Sequence, residues 1–156
     1  MSREISVRRA TESDRDFVVG LVPSLLAFGS PVSQDAENLI PGFGSVLAEA
    51  VSAQDSRSTV LIAQGIDTTR LGFISLKVRE DVTGAERAHV ADLAVVPSAR
   101  RMGVGTALME AAESWSRERG LPVLSLDVWA TNDAAMAFYR RLGYSAESVC
   151  MIKQLD

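Results

Sequence analysis

The stretch Arg100-Arg101-Met102-Gly103-Val104-Gly105-Thr106 (residues 100–106) decides how the rest of the chain is interpreted. It lies between an apolar run at residues 87–96, typical of a strand, and a run that repeats apolar side chains at helical spacing as far as Arg119. Two glycines let the backbone turn tightly and approach a ligand. The first N–H groups of a helix lack intrahelical partners and lie at the positive end of its dipole. The turn therefore predicts a cradle for phosphate, with two arginines supplying positive charge beside it.

Three phosphate-binding motifs can occupy such a turn. A P-loop needs a Gly-Lys-Ser/Thr triplet, which this sequence lacks. A dinucleotide-binding fingerprint needs its first glycine directly after the strand, but here Val96 and Gly103 are well separated, and Leu108 stands where a third small residue is needed. The third motif, Arg100-x-x-Gly103-x-Gly105 after a strand that contains Leu93-Ala94-Val95, has the required spacing.

Hydrophobic periodicity outside the turn predicts the element order β-α-α-β-β-β-α-β-α-β. The predicted strands cover residues 4–10, 58–64, 71–79, 87–96, 123–129 and 146–154. The predicted helices run from a Thr11–Asp14 capping pair to about Phe28, from about Gln34 to Ser52, from about Gly105 to Arg119, and from Asn132 to Leu142. Pro41-Gly42 interrupts the second helix, which we expect to be kinked or split in two. This order favours an α/β fold (an α+β mixed sheet), with one domain over residues 1–156.

Composition and charge argue against several classes of protein. The 156 residues are 47% apolar and 23% charged, which is typical of a globular domain and argues against disorder. The net charge of −4 argues against nucleic-acid binding. One cysteine, Cys150, and one histidine allow no thiolate cage for zinc, so we expect no metal. The first residues lack the apolar core of a signal peptide and no run could span a bilayer, so we expect a cytoplasmic protein that does not bind membranes.

The third motif resembles the acetyl-CoA-binding motif of the GNAT superfamily of N-acetyltransferases. A second block also resembles that superfamily: Leu126-x-Val128-x-x-x-Asn132, followed by Ala137-Phe138-Tyr139-x-x-Leu142-Gly143-Tyr144. Two blocks in the right order, within a resemblance that covers nearly the whole chain, imply a GNAT-like fold with a central mixed sheet of about six to seven strands flanked by about four helices. They also imply an acyltransferase that moves an acetyl group from acetyl-CoA, its cosubstrate, to a primary amine.

The resemblance assigns roles to residues of this chain. The main chain of Leu93, Ala94 and Val95 is expected to bond the pantetheine arm in a gap between the strands at 87–96 and 123–129. The pyrophosphate is expected to lie on the turn made by Arg100, Arg101, Met102, Gly103, Val104, Gly105 and Thr106. Asn132 is expected to contact the cofactor, although it also suits a helix N-cap. Tyr139, whose phenol is ordinarily protonated at neutral pH, is expected to protonate the leaving thiolate.

Direct attack by an amine needs a base to remove its proton. We select His89, because some superfamily members carry a carboxylate near its position and an imidazole titrates near neutral pH. A water relay without a single base stays open, as do four carboxylates: Asp92, Asp127, Glu80 and Asp81. In ideal alternation His89 shares one face of its strand with Ala91, Leu93 and Val95, while Asp92 lies on the other, unless a bulge changes that phase.

The acceptor stays open among small-molecule amines and protein amines. Residues 1–60 carry eight acidic and five basic residues, which favours a cationic acceptor. The helices of residues 12–52 and the loop at 80–86 are expected to form its wall. A non-catalytic acyl-CoA sensor or interaction module is the alternative function, and succinyl-CoA or propionyl-CoA is an alternative donor. The resemblance also makes the final strand a candidate for pairing with a second subunit in a homodimer.

Overall fold

The structure, a computed structural model, describes residues 4–26 and 36–156. Within these ranges one mixed sheet has the strand order β1 (Ile5–Arg9), β2 (Ser58–Gly65), β3 (Arg70–Glu80), β4 (Glu86–Val95) and β5 (Leu124–Leu126). Neighbours are antiparallel except β4 and β5, which are parallel. The helices are α1 (Arg15–Gly20), α2 (Val22–Leu26), α3 (Ala36–Ser52), α4 (Val104–Glu118) and α5 (Asp133–Arg141), with short 3-10 turns at Glu12–Asp14 and Pro97–Ala99.

The prediction of an α/β fold with a mixed sheet is confirmed, but the predicted number of strands is too high. The described residues contain five strands rather than six to seven, and five helices rather than about four. The strand predicted at 123–129 is paired only over Leu124–Leu126, and the strand predicted at 146–154 is not assigned. Strand structure requires a neighbour that satisfies the backbone N–H and C=O groups, and no described strand pairs with residues 146–154.

The predicted helices before β2 also differ from the structure. α1 and α2 divide the first predicted helix. Its expected end near Phe28 and the expected start of the next helix at Gln34 lie outside the described residues. Of the two alternatives at Pro41, two short helices are wrong, since α3 is one helix with the proline inside it, and a kink stays a prediction. Proline removes only one backbone hydrogen bond, and the buried side chains of Leu47 and Val51 anchor the helix beyond it.

Apolar side chains cover both faces of the sheet. On one face α4 packs against β3 and β4, with Leu108 and Ala112 fully buried in the same cluster as Leu76. On the other face the helices α1 to α3 form a second cluster, in which Leu47 lies with Phe73. α5 packs against the first cluster. Most of the predicted site is on the turn before α4 and on α5. Both therefore lie on the face of the sheet that α4 covers.

A buried carboxylate ties the first turn of the chain to the sheet. Asp14 has no exposed surface and accepts hydrogen bonds from Arg8 (2.7 and 2.9 Å), from Arg70 (2.7 Å) and from the N–H of Thr11 (2.8 Å). These hydrogen bonds, chiefly the pair from Arg8, hold the pKa of the Asp14 carboxyl well below its usual range. The predicted Thr11–Asp14 capping pair is thus present, and the same carboxylate also joins β1 to β3.

Candidate functional site

β4 and β5 separate after three paired residues. The register pairs Ala88 with Leu124, His89 with Ser125 and Val90 with Leu126. β4 continues to Val95 with its other edge paired to β3, whereas β5 ends at Leu126. Within the described residues, positions 91–95 of β4 therefore present an unpaired backbone edge toward β5. An extended ligand can add to such an edge as a further strand, and the predicted pantetheine-binding residues 93–95 lie on it.

A β-bulge lies where the two strands separate. Ser75 of β3 pairs with Asp92, but the next residue, Leu76, pairs with Val90. Ala91 is therefore an extra residue in β4 with no partner of its own on β3. A bulge of this kind bends the strand and changes the alternation of its side chains.

The bulge changes which side chains share a face of the sheet. His89 and Asp92 lie on the face covered by α1 to α3, because their partners on β3 are on the same face as Phe73, which belongs to that core. Leu93 and Val95 instead pack against the core under α4. The ideal alternation, which grouped His89 with these two residues, is therefore wrong for His89, whereas Asp92 does lie on the face opposite Leu93 and Val95.

The turn before α4 has the backbone geometry of an anion cradle. Arg101 (φ 62°) and Gly103 (φ 84°) both adopt the left-handed conformation. Gly103 is the N-cap of α4, and among the described residues no side chain caps this helix and no acidic residue stands in its first turn. The first N–H groups of the helix, at residues 104–106, lie at the positive end of its dipole and suit a bound anion.

α5 packs directly onto the start of α4. A Cβ at position 105 would lie 3.1 Å from Cζ of Phe138, so the aromatic ring occupies the space that a side chain on Gly105 would need. The rings of Phe138 and Tyr139 meet edge to face, with centroids 5.1 Å apart, and those of Tyr139 and Tyr144 likewise at 6.1 Å. Gly105 therefore permits a close approach of two helices, and that approach sets the position of Tyr139.

Tyr139 and Asn132 lie at different ends of α5. Tyr139 is half-buried against the α4-side core, and burial raises the pKa of its phenol to about 12, so the group is protonated at neutral pH. Asn132 is the N-cap, and its Oδ1 accepts the N–H of Ala135 at 3.1 Å. The capping role of Asn132 is present in the structure, while its contact with a cofactor stays a prediction.

His89 lies in a polar cluster where β4 and β5 are still paired. Its Nδ1 is 2.9 Å from Oγ of Ser125, and its Nε2 is 3.4 Å from both Arg79 Nη1 and Asp127 Oδ2. The ring is buried. Burial, with the charge of Arg79 beside it, lowers the pKa of His89 to about 4. The imidazole is therefore neutral at pH 7 and holds an added proton only weakly.

Asp92 directly follows the bulge, at the point where β4 leaves β5. Its carboxylate is half-buried and accepts a hydrogen bond from the buried hydroxyl of Ser75 at 3.1 Å. Burial raises the pKa of the Asp92 carboxyl. The sequence ranked Asp92 behind His89, since the bulge depends on pairing with β3 and leaves no mark in the local pattern of β4.

Glu80 and Asp81 lie away from the bulge, and the third remaining carboxylate, Asp127, directly follows Leu126 at the end of β5. Glu80 is the last residue of β3 and pairs with Glu86 at the opposite end of β4. Asp81 accepts hydrogen bonds from Thr83 and Arg87, which hold the pKa of its carboxyl below its usual range. The side chain of Asp127 is 84% exposed. None of these three combines partial burial with a place beside the gap.

The described residues contain no helix long and apolar enough to cross a bilayer. They also contain no group of three or more His, Cys, Asp or Glu side chains that could hold a metal ion.

Known proteins resemble this chain in sequence and in fold. A family model described as the acetyltransferase (GNAT) family matches residues 32–144. Aminoglycoside N(6')-acetyltransferase type 1 of Klebsiella aerogenes is 39% identical over 117 residues, covering 71% of this chain and 77% of that protein. A solved structure from Pyrococcus furiosus, provisionally named an acetyl transferase, has a TM-score of 0.78 and 25% identity, covering 97% of this chain and all of its own. AAC(6')-Iy, solved with the bisubstrate analogue CoA-S-monomethyl-acetylneamine, has a TM-score of 0.71 over 98% of this chain and 99% of its own; at 22% identity it supports the fold alone.

Proposed function

Because this chain belongs to the acetyltransferase (GNAT) family, we propose that it transfers an acetyl group from acetyl-CoA to a primary amine within a ternary complex. One observation carries the proposal. β4 leaves β5 at the Ala91 bulge, and the free edge of residues 91–95 runs toward the left-handed turn that begins α4. A pantetheine arm would bond along the free edge of residues 91–95, and the diphosphate would bind to the turn before α4. Together these two contacts would place the thioester at the bulge.

The cofactor site rests on the backbone of the turn and on the charge beside it. The amides of residues 101–106 would bind the diphosphate, Arg100 and Arg101 would supply positive charge, and Asn132 would contact the arm near the gap. Gly103→Val adds a side chain at a left-handed position on the proposed anion side. Gly42→Val is the matched control. A Cβ at position 42 meets nothing within 4 Å, and this position lies on α3, away from the turn before α4.

Calorimetric titration with acetyl-CoA tests this placement. We expect Gly103→Val to weaken binding more than about tenfold, that is, by more than 1.4 kcal/mol. Gly42→Val should bind as the wild type does. Thermal unfolding of each variant separates a loss of the site from a loss of the fold. Unchanged affinity in a folded Gly103→Val variant would show that the diphosphate lies elsewhere.

The two faces of the sheet supply the two proton transfers. A neutral amine attacks the thioester carbonyl carbon and forms the C–N bond, and a main-chain N–H near Val95 stabilises the oxyanion. The C–S bond then breaks, and the thiolate takes a proton from Tyr139 on the α4 face. The proton lost by the amine passes to a base on the opposite face. A thioester held in the gap between the strands is open to both sides.

We propose Asp92 as that base and keep His89 as the alternative. Both residues lie on the α1 to α3 face, but burial shifts their pKa values in opposite directions. A base for an amine works best when its pKa is close to the operating pH. Burial raises the pKa of the Asp92 carboxyl toward neutral pH, whereas it lowers the pKa of the His89 imidazole away from neutral pH. Asp92 also lies beside the gap, whereas His89 lies in the paired part of the strands.

Three variants separate these candidates: Asp92→Asn, His89→Gln and Asp127→Asn. If Asp92 is the base, Asp92→Asn should lower kcat/KM by about 10²- to 10⁴-fold and abolish the acid limb of its pH profile. Asp127→Asn, an exposed carboxylate next to His89, should retain most activity. A large loss confined to His89→Gln would assign the base to the histidine, and small losses in all three would favour a water relay. Tyr139→Phe should lower kcat in every case.

The acceptor we test first is an aminoglycoside with a free 6'-amine, because a 39%-identical relative is named for that activity. Release of coenzyme A thiol is measured with that compound, with a matched aminoglycoside lacking the 6'-amine, with a polyamine and with a peptide bearing a free N terminus. Turnover only with the first supports the assignment, and turnover only with the peptide refutes it. Tight acetyl-CoA binding without turnover on any amine would favour a sensor. The cytoplasmic location stays a prediction.

A further inference from the structure

Ser75 is a polar residue in an otherwise apolar stretch of β3. The residues from Leu71 to Leu76 are all buried, and Ser75 is the one among them with a polar side chain. A buried hydroxyl costs free energy unless it makes a hydrogen bond. The Ser75 hydroxyl donates to the carboxylate of Asp92 at 3.1 Å. This contact therefore gives a polar side chain a reason to stand at a position that would otherwise suit an apolar one.

The pairing of β3 with β4 brings the two side chains together. Ser75 lies directly opposite Asp92, and the register shifts at the next residue of β3 because Ala91 is bulged. Side chains that lie opposite each other on one face of an antiparallel pair are close enough to interact. The hydroxyl therefore reaches the carboxylate from the neighbouring strand, at the point where β4 leaves β5.

The hydrogen bond distinguishes the two oxygens of the carboxylate. Oδ2 of Asp92 accepts from Ser75, whereas Oδ1 accepts no hydrogen bond from a described residue. A hydroxyl carries a single proton, so it can hold one carboxylate oxygen and leaves the other without that contact. Oδ1 is therefore the oxygen that remains to take a proton.

We propose that Ser75 is a positioning residue for Asp92, and that its hydroxyl holds Oδ2 so that Oδ1 accepts the proton of the attacking amine. The inference rests on the proposed function, in particular on Asp92 as the base. The lone pair of the amine nitrogen forms the C–N bond. The proton that the nitrogen then loses forms an O–H bond at Oδ1, and the electrons of the broken N–H bond stay on nitrogen. Ser75 keeps its own proton and touches no reacting atom.

The charged groups on this face of the sheet act on Asp92 less selectively. Lys77 is exposed, and its positive charge lowers the pKa of both Asp92 and His89. Asp127 lies beside His89. The helix α2, which packs against β4, carries no charged residue. Ser75 bonds Asp92 and makes no hydrogen bond with His89 in the described part of the chain, so substitutions at Ser75 separate the two candidate bases.

The pH profile of kcat/KM tests this role. Burial raises the pKa of the Asp92 carboxyl, and the hydrogen bond from Ser75 opposes that rise because it stabilises the charged form. Ser75→Ala should therefore move the acid limb of the profile to higher pH and lower kcat/KM on that limb by about tenfold. Ser75→Cys, which fills the site with a weaker donor, should move the limb in the same direction. Ser75→Thr keeps the hydroxyl and should keep the limb in place.

Ser116→Ala is the matched control. It also removes a buried serine hydroxyl, but that hydroxyl donates to the carbonyl of Ala112 within α4. Its pH profile should be that of the wild type. A shift of the acid limb in Ser116→Ala equal to that in Ser75→Ala would overturn the proposal, because the shift would then follow from any loss of a buried hydroxyl.

Carbon-13 NMR titration of the Asp92 carboxyl, without acetyl-CoA, gives a readout that does not depend on activity. The signal is assigned by its absence in Asp92→Asn. The midpoint should rise in Ser75→Ala and Ser75→Cys and stay in place in Ser75→Thr. An unchanged midpoint in the folded Ala and Cys variants would overturn the role of Ser75 alone. A raised midpoint that the acid limb of kcat/KM does not follow would overturn Asp92 as the base, and the role of Ser75 with it.

Discussion

Replacing Gly105 with alanine tests the contact that positions α5. The new Cβ would lie 3.1 Å from Cζ of Phe138, whereas carbon atoms pack best at about 3.5–4.0 Å. The ring must therefore move by a few tenths of an ångström. Overpacking of this kind costs about 1–3 kcal/mol, and the better helix propensity of alanine offsets about 0.8–1.0 kcal/mol of that. We expect the free energy of unfolding to fall by about 1 kcal/mol.

A double-mutant cycle isolates this contact from general effects of the substitution. Leucine has no atom at the position of Cζ, so in the Phe138→Leu background Gly105→Ala should lose its penalty and stabilise the protein by up to about 1 kcal/mol. Urea denaturation of the wild type, both single variants and the double variant gives the coupling energy. Equal effects of Gly105→Ala in the two backgrounds would refute the contact. So would a clear stabilisation by Gly105→Ala in the wild type.

The same four proteins can also be assayed for activity. Tyr139, the proposed acid, directly follows Phe138 in α5. A displaced ring shifts the phenol, so Gly105→Ala should lower kcat more than it changes KM for acetyl-CoA. The Phe138→Leu change should restore part of that loss. A rise in KM alone would place the effect of Gly105 in cofactor binding rather than in the position of the acid.

Two further substitutions test how the sheet holds its neighbours. Asp14→Ala leaves Arg8 and Arg70 without their buried partner and should cost about 3 kcal/mol, the lower end for such pairs, since both arginines reach solvent. Because the folded pKa of Asp14 lies below the unfolded value of about 3.9, its contribution is present above that pH and is lost as the pH falls through the folded pKa. Thermal unfolding between pH 2 and pH 7 should therefore show a weaker acid dependence in the variant, and an unchanged curve would contradict the ion pair. Gly72→Ala would put a Cβ 2.6 Å from the carbonyl oxygen of Ala94 and should destabilise by more than about 2 kcal/mol, whereas Gly42→Ala, with open space around it, should change stability by less than about 1 kcal/mol.

Elements with strong local patterns could be predicted from the sequence. The stripe of α4, with Leu108, Ala111, Ala112 and Trp115 at helical spacing, marks its packed face: Ala111 is half-buried and the other three are buried. Asn132 marks the start of α5 because an N-cap acts on its own first turn. The left-handed Gly103 follows from a glycine placed before a helix. In each case the residues that determine the structure are neighbours in sequence.

Features that depend on distant partners could not be predicted. The sequence identified Asp14 as a cap, but its hydrogen-bond partners include Arg70, which is 56 residues away. The Ala91 bulge exists only in the pairing of β4 with β3, so ideal alternation put His89 on the wrong face. The apolar residues 149–152 have a strand pattern, yet a strand forms only where a partner is present. The cofactor and base assignments meet the same limit, because they depend on a ligand that lies between strands.

The Ala91 bulge also makes β4 sensitive to where along the strand its length changes. The two halves of the strand are out of step by one position, and both keep their apolar side chains under α4 only because of that offset. Deleting Ala91 would remove the extra residue and leave Val90 opposite Leu76 and Asp92 opposite Ser75, so both halves would keep their faces in ordinary alternation. Deleting Ala88 would instead turn the residues on one side of the deletion to the opposite face of the sheet. A deletion scan across the strand, read out as soluble yield, should therefore tolerate the loss of Ala91 better than the loss of Ala88.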